Sequence, residues 1–180
     1  MRIAATIVAF ALAVMHGEAA EPSVSVCIEG DGLPDVQLAR LLAGKIFARI
    51  GTGIEWRCSG APDQPIMIAM STNTPDGGYP DALAYAQPFT RRIQVFYDRV
   101  RNYPPGLRAH LLAHVLAHEI AHVLEGIARH SDTGIMKAHW DRDDFRKMEL
   151  MNLAFTPYDV LLIQRVARRA GRSPGPNAER

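Results

Sequence analysis

The stretch AHEIAHVLEGIARHSDTGIMKAHW, Ala117 to Trp140, decides how this chain is read. His118 and His122 stand four residues apart. On a helix that spacing puts both imidazoles on one face, at a separation that a single tetrahedral Zn²⁺ can bridge. Glu119 lies one residue round, where a carboxylate can take a proton from a water that the metal has acidified and pass it to a leaving amine. Leu111, Leu112, Val115, Leu116, Ile120, Val123 and Leu124 supply the apolar face of the helix that carries the motif. A catalytic zinc takes three protein ligands and keeps one position open, so the helix has to end and the chain turn back with a third. Gly126 suits the left-handed conformation that ends a helix, and His130 follows it, ahead of the turn residues Ser131-Asp132-Thr133-Gly134.

Outward from this stretch the hydrophobic period changes in a regular order. Ser23 to Glu29 alternates and predicts a strand, and Pro34 to Ile50 has helical spacing that stops at Gly51. Ile54 to Cys58 and Ile66 to Met70 are short apolar runs bounded by Gly and Pro, which predict two strands. Thr72 to Pro80 is a loop by its turn residues. Leu83 to Ala86 and Arg92 to Asp98 predict two more strands, the first stopping at Pro88 as an edge strand can. A long helix follows from Leu107 to about Glu125. The last helix starts at Thr156, with Pro157 at its first position and Asp159 three residues after the cap, and runs to about Ala170. The expected fold is therefore α+β, a small mixed sheet of about five strands with an active-site helix and a C-terminal helix.

With 180 residues, 48% hydrophobic and 22% charged, the chain can bury one core, so a single domain is expected over residues 20–170. The balance of 20 basic against 19 acidic residues leaves +1, which offers no basic field for nucleic acid. Oligomeric state has no signal in the sequence. Arg2 precedes an apolar run from Ile3 to Met15 that is too short to span a bilayer, and Gly17 and Ala19 put small side chains at −3 and −1 of a cut after Ala19. Residues 1–19 thus read as a signal peptide, giving a secreted or periplasmic protein that leaves the membrane after cleavage. Gly171 to Arg180 reads as a disordered tail. The two cysteines, Cys27 and Cys58, lack CxxC neighbours and in an oxidising compartment read as a disulfide. Closing a loop of that size stabilises by roughly 3 to 4 kcal/mol on the chain-entropy model.

At His130 the sequence begins to resemble the metzincin zinc peptidases, and among them the matrixins, the matrix metalloproteinases. That family carries HExxHxxGxxH, a Ser after the last His, and a Met-containing turn beneath the metal. His118, Glu119 and His122 match, as do His130-Ser131, and Gly134-Ile135-Met136 is similar to the Met-turn. Gly126 falls one residue late and His130 two residues late against the pattern. The segment GGYPDALAYAQP, Gly77 to Pro88, is similar to the matrixin edge strand, beside which the substrate peptide lies in that family. RIQVFYD, Arg92 to Asp98, resembles the strand before the zinc helix, and FTPYDVLLIQ, Phe155 to Gln164, the start of the C-terminal helix. Tyr85 stands where matrixins place a histidine of a second, structural zinc site. The resemblance implies an endopeptidase for peptide or protein substrates. In it Zn²⁺ is held by His118, His122 and His130, and Glu119 is the catalytic base. It also implies that the first two strands are neighbours, which would bring Cys27 and Cys58 together.

Alternatives stand beside this reading. Gluzincins take their third ligand from a glutamate on a later helix, which makes Glu149, Asp143 or Asp144 the acidic candidates. His139 falls past the Met-turn, and Glu125, three residues after His122, reads as solvated. His110 and His114 continue the four-residue ladder and read as surface or supporting groups, with His114 the nearer to the site. Met136 is expected to pack under the metal without binding it, and Trp140 to wall a substrate pocket or join the core. A zincin-like peptide-binding domain without turnover is the second functional class.

Overall fold

The computed structural model describes residues 22–30, 32–60, 64–74 and 80–170, so the expected signal peptide and tail lie outside the described residues. Five strands, β1 (Ser23–Glu29), β2 (Gly53–Trp56), β3 (Ile66–Ser71), β4 (Ala84–Gln87) and β5 (Arg92–Phe96), form one sheet in the order β2-β1-β3-β5-β4. The first four in that order run parallel, and β4 alone pairs antiparallel, along the outer side of β5. This is the α+β architecture with a mixed sheet that the sequence predicts. At alternate positions of β1, β3 and β5, Val24, Val26 and Ile28, Ile66 and Ile68, and Ile93 and Val95 share one face and are buried there.

That face is covered by α1 (Val36–Ala48) and by the central helix α3 (Pro105–Glu125), which pack on one another. The helix α1 starts two residues later than the periodicity suggests, because Asp35 adopts a positive φ of 68° and cannot be its first helical residue. From Leu111 to Leu124 every residue of α3 is buried, so this helix is the axis of the core. The chain turns into a short helix, α2 (Tyr97–Val100), where the apolar run past Phe96 had predicted more strand. After α3 come α4 (Arg142–Glu149) and α5 (Pro157–Ala170).

The helix α4 escapes a reading by hydrophobic period, since only Phe145 and Met148 give its eight residues an inward face. Its signal lies at the cap: Asp141 accepts from the backbone of Asp143 and Asp144, and Asp144 accepts from the backbone of Asp141. Parallel pairing of β1 with β2, in the register Val26 to Trp56, brings Cys27 beside Cys58, and the two form a disulfide with Cα atoms 4.6 Å apart. No helix among the described residues is long and apolar enough to cross a membrane.

Candidate metal centre

The helix α3 ends where the sequence predicts. Gly126 takes a φ of 70° and its N–H donates to the His122 carbonyl, 3.0 Å away, which turns the chain back towards the helix face bearing His118 and His122. The return brings His130 to that face, and one ligand nitrogen from each of His118, His122 and His130 lies within 4.8 Å of the others. The three histidines are positioned to bind a metal ion. Ring centroids are 4.6 Å apart for His118 and His122, 5.0 Å for His122 and His130, and 5.3 Å for His118 and His130.

The donor chemistry fits such an ion. His118 donates Nδ1–H to the Ile135 carbonyl at 2.8 Å and His122 donates Nδ1–H to the Ile127 carbonyl at 3.2 Å. Each bond selects the tautomer whose Nε2 carries a lone pair, and those two Nε2 atoms face one another at 3.0 Å. Two lone pairs so placed repel unless a cation lies between them. Burial also disfavours the protonated rings, lowering the His118 pKa to about 3 and those of His122 and His130 below the ordinary histidine value. The rings are therefore neutral ligands at neutral pH.

The loop carrying the third ring is held from two sides. Ser131 donates its N–H to the Met136 carbonyl at 2.8 Å and its hydroxyl to Asp159 at 2.8 Å. Arg129, on the other side of His130, forms an ion pair with the same carboxylate. Asp159 is fully buried, and Thr156 caps it through N–H and hydroxyl at 2.9 and 2.7 Å. Burial pushes this carboxyl up, but the bonds from Thr156, Ser131 and Arg129 outweigh it, so its pKa lies below the usual value. The sequence showed Asp159 as a helix cap; its hold on the His130 loop arises only from folding.

Met136 is fully buried in the core. Gly134 has a φ of 77°, and a Cβ there would meet the Ala154 carbonyl oxygen at 2.4 Å, so only glycine lets the turn dock against the chain leading into α5. Docking matters to the site because the next residue, Ile135, supplies the carbonyl that orients His118 and donates its own N–H to the Ala154 carbonyl at 3.0 Å.

Glu119 sits beside the triad, buried, and accepts a hydrogen bond from the Ala86 N–H. Burial pushes its pKa up to about 8, and the Ala86 bond only partly opposes this. Since Ala86 turns its N–H away from β5, the free edge of β4 faces the site. Between that edge and the segment Lys137–Trp140 lies a cleft of about 460 Å³, with His118, Glu119, His122 and His130 among its lining and Tyr103, Val115 and Phe145 lining it as well.

The other candidates stand elsewhere. Asp143 and Glu149 are exposed, and Asp144 is bound to Lys137 at 2.7 Å and to the α4 cap. None of the three lines the cleft. Glu125 is not solvated: its side chain is buried against Arg129 at 3.7 Å, because the returning loop closes over the end of α3. Its pKa rises to about 7, chiefly by burial. His114 is not a surface group but a fully buried one, its Nδ1 2.7 Å from the His110 carbonyl, and it does not line the cleft. His110 is half-buried, 3.1 Å from the Met148 carbonyl oxygen. Trp140 does wall the cleft, its ring edge-on to His118 at 5.5 Å. His139, set aside as a ligand, also lines it.

No protein-family model matches the chain, and a search of curated proteins finds no match. Fold and site together define an α+β protein with a three-histidine metal-binding arrangement beside a buried glutamate and an open sheet edge.

Proposed function

We propose that the chain is a zinc-dependent endopeptidase of the metzincin type, exported to an oxidising compartment. The observation that carries this reading is the position of Glu119, a buried carboxylate next to the three-imidazole cluster and in the lining of the cleft that the sheet edge borders. Three neutral nitrogen ligands with an open approach from the cleft suit zinc. When bound, zinc supplies a Lewis acid that makes water acidic near neutral pH and polarises a carbonyl. The rest of the chemistry belongs to the chain. The free edge of β4 pairs with an extended peptide and lays its scissile bond across the cleft. Glu119 takes a proton from the attacking water and returns it to the amine nitrogen as the C–N bond breaks. The disulfide and the apolar N-terminal run, Ile3 to Met15, support export.

The competing reading, a peptide-binding domain without turnover, gives Glu119 no task, since it is not one of the converging ligands. Glu119→Gln decides between them. The variant keeps zinc and peptide binding, and casein or gelatin hydrolysis falls by roughly 10² to 10⁴. Equal turnover by both proteins, or none by a zinc-loaded wild type, removes the peptidase reading.

A further inference from the structure

The cleft holds a fourth imidazole. His139 is exposed, lines the cleft with the triad and Glu119, and lies near enough to His130 for the charges of the two rings to interact. It is not one of the nitrogens that converge on a metal position. Its placement follows from its neighbours, because Met136 is anchored in the core and Trp140 is edge-on to His118, which leaves the intervening segment along the cleft wall.

Peptide hydrolysis builds negative charge on the scissile carbonyl oxygen, and a hydrogen-bond donor in this cleft would add to the polarisation that a bound zinc supplies. When water adds to the scissile carbonyl, a C–O bond forms, the proton goes to Glu119, and the carbonyl π pair moves to oxygen as an anion that a positioned N–H or O–H donor stabilises. The Nδ1–H groups of His118 and His122 are spent on backbone carbonyls. The Lys137 ammonium is held by Asp141 at 2.5 Å and Asp144 at 2.7 Å. The Trp140 Nε1 has no partner but is buried, with no surface open to a substrate. Tyr103 precedes α3, several turns before His118. His139 is the exposed imidazole of the cleft that gives no nitrogen to the converging metal position, and it stands on the segment facing β4.

We propose that His139 is a catalytic residue, donating a ring N–H to the oxygen anion of the tetrahedral adduct. This rests on the peptidase reading. Either neutral tautomer of an exposed imidazole has one N–H to give, so the role does not depend on protonating the ring. As the adduct collapses, the C–N bond breaks, its electron pair goes to nitrogen, Glu119 returns the proton, and the donor is released with the re-formed carbonyl.

The test uses zinc-loaded full-length protein and two variants, His139→Phe and His139→Asn. Metal content stays at the wild-type level in both. For His139→Phe, kcat falls about 10² to 10³-fold, the range for one lost donor of this kind, while KM moves by less than about threefold. A phosphinic peptide, whose tetrahedral oxygens mimic the adduct, loses affinity by a similar factor in calorimetry, and a product peptide does not. His139→Asn, which keeps an N–H donor, recovers part of both losses. A wild type that hydrolyses peptide alongside a His139→Phe variant of unchanged kcat and phosphinic-peptide affinity overturns this role and leaves the peptidase reading standing. Loss of zinc from His139→Phe would make His139 a ligand and also overturns it. A zinc-loaded wild type that hydrolyses nothing removes both readings together.

Discussion

Asp159 shows how much one side chain decides at the residue scale. A single buried carboxylate starts α5 through Thr156 and holds both neighbours of His130, so the third ring stands where it does because a helix from the end of the chain reaches back to it. Asp159→Asn keeps the shape and removes the charge that Arg129 pairs with. Zinc affinity, measured by competition with a chromogenic chelator, falls about 10 to 100-fold, as for other partners that orient ligands, while His130→Ala loses more. His114 acts on stability instead. Burial disfavours its imidazolium, outweighing the His110 and Leu153 carbonyls that face it, and lowers its pKa to about 4 from 6.5. The unfolded chain then takes up this proton before the folded one does, so stability is lost as pH falls from about 6.5 towards 4 and is flat above. Between pH 7 and 5 this one group costs about 2 kcal/mol. In urea titrations with a chelator present, His114→Leu loses less stability over that interval than wild type does.

At the scale of elements, the centre is a helix, a turn and a sheet edge locked together by backbone contacts. The turn Gly134-Ile135-Met136 is the joint, with Ile135 orienting His118 and Gly134 pressed on the Ala154 carbonyl. Gly134→Ala combines a strained φ with a backbone clash and is expected to destabilise by about 2 kcal/mol or more in urea unfolding. Its zinc affinity falls too, since the carbonyl that fixes the His118 tautomer moves. The elements with a strong hydrophobic period, α3 and the strands β1, β3 and β5, were legible in the sequence. The short helix α4 was not, because so few of its residues face inward and its cap is its only clear local signal.

For the molecule as a whole, one covalent crosslink ties distant parts of the chain. The Cys27–Cys58 disulfide joins β1 to the chain just beyond β2, which lies beside it only because the β1–α1–β2 unit closes in parallel. Native protein from an oxidising compartment therefore has no titratable thiol in denaturant, and changing both cysteines to serine lowers stability by roughly 3 kcal/mol. The sequence by itself determined the helix with His118, Glu119 and His122, its stop at Gly126, the alternating strands and the pairing of the only two cysteines. All of these rest on spacing along the chain or on composition, which a periodic backbone converts directly into geometry. It also offered His130 together with the acidic candidates, and left the choice open. Only the tertiary structure decided the rest: that His130 meets the other two rings, that Glu125 and His114 are buried, that Asp159 holds the third-ligand loop, and that Ala86 offers its N–H to Glu119. Each of these joins residues far apart along the chain or packed under a returning loop, and a contact of that kind comes from how helices and sheet pack, for which no local spacing in the sequence carries a mark.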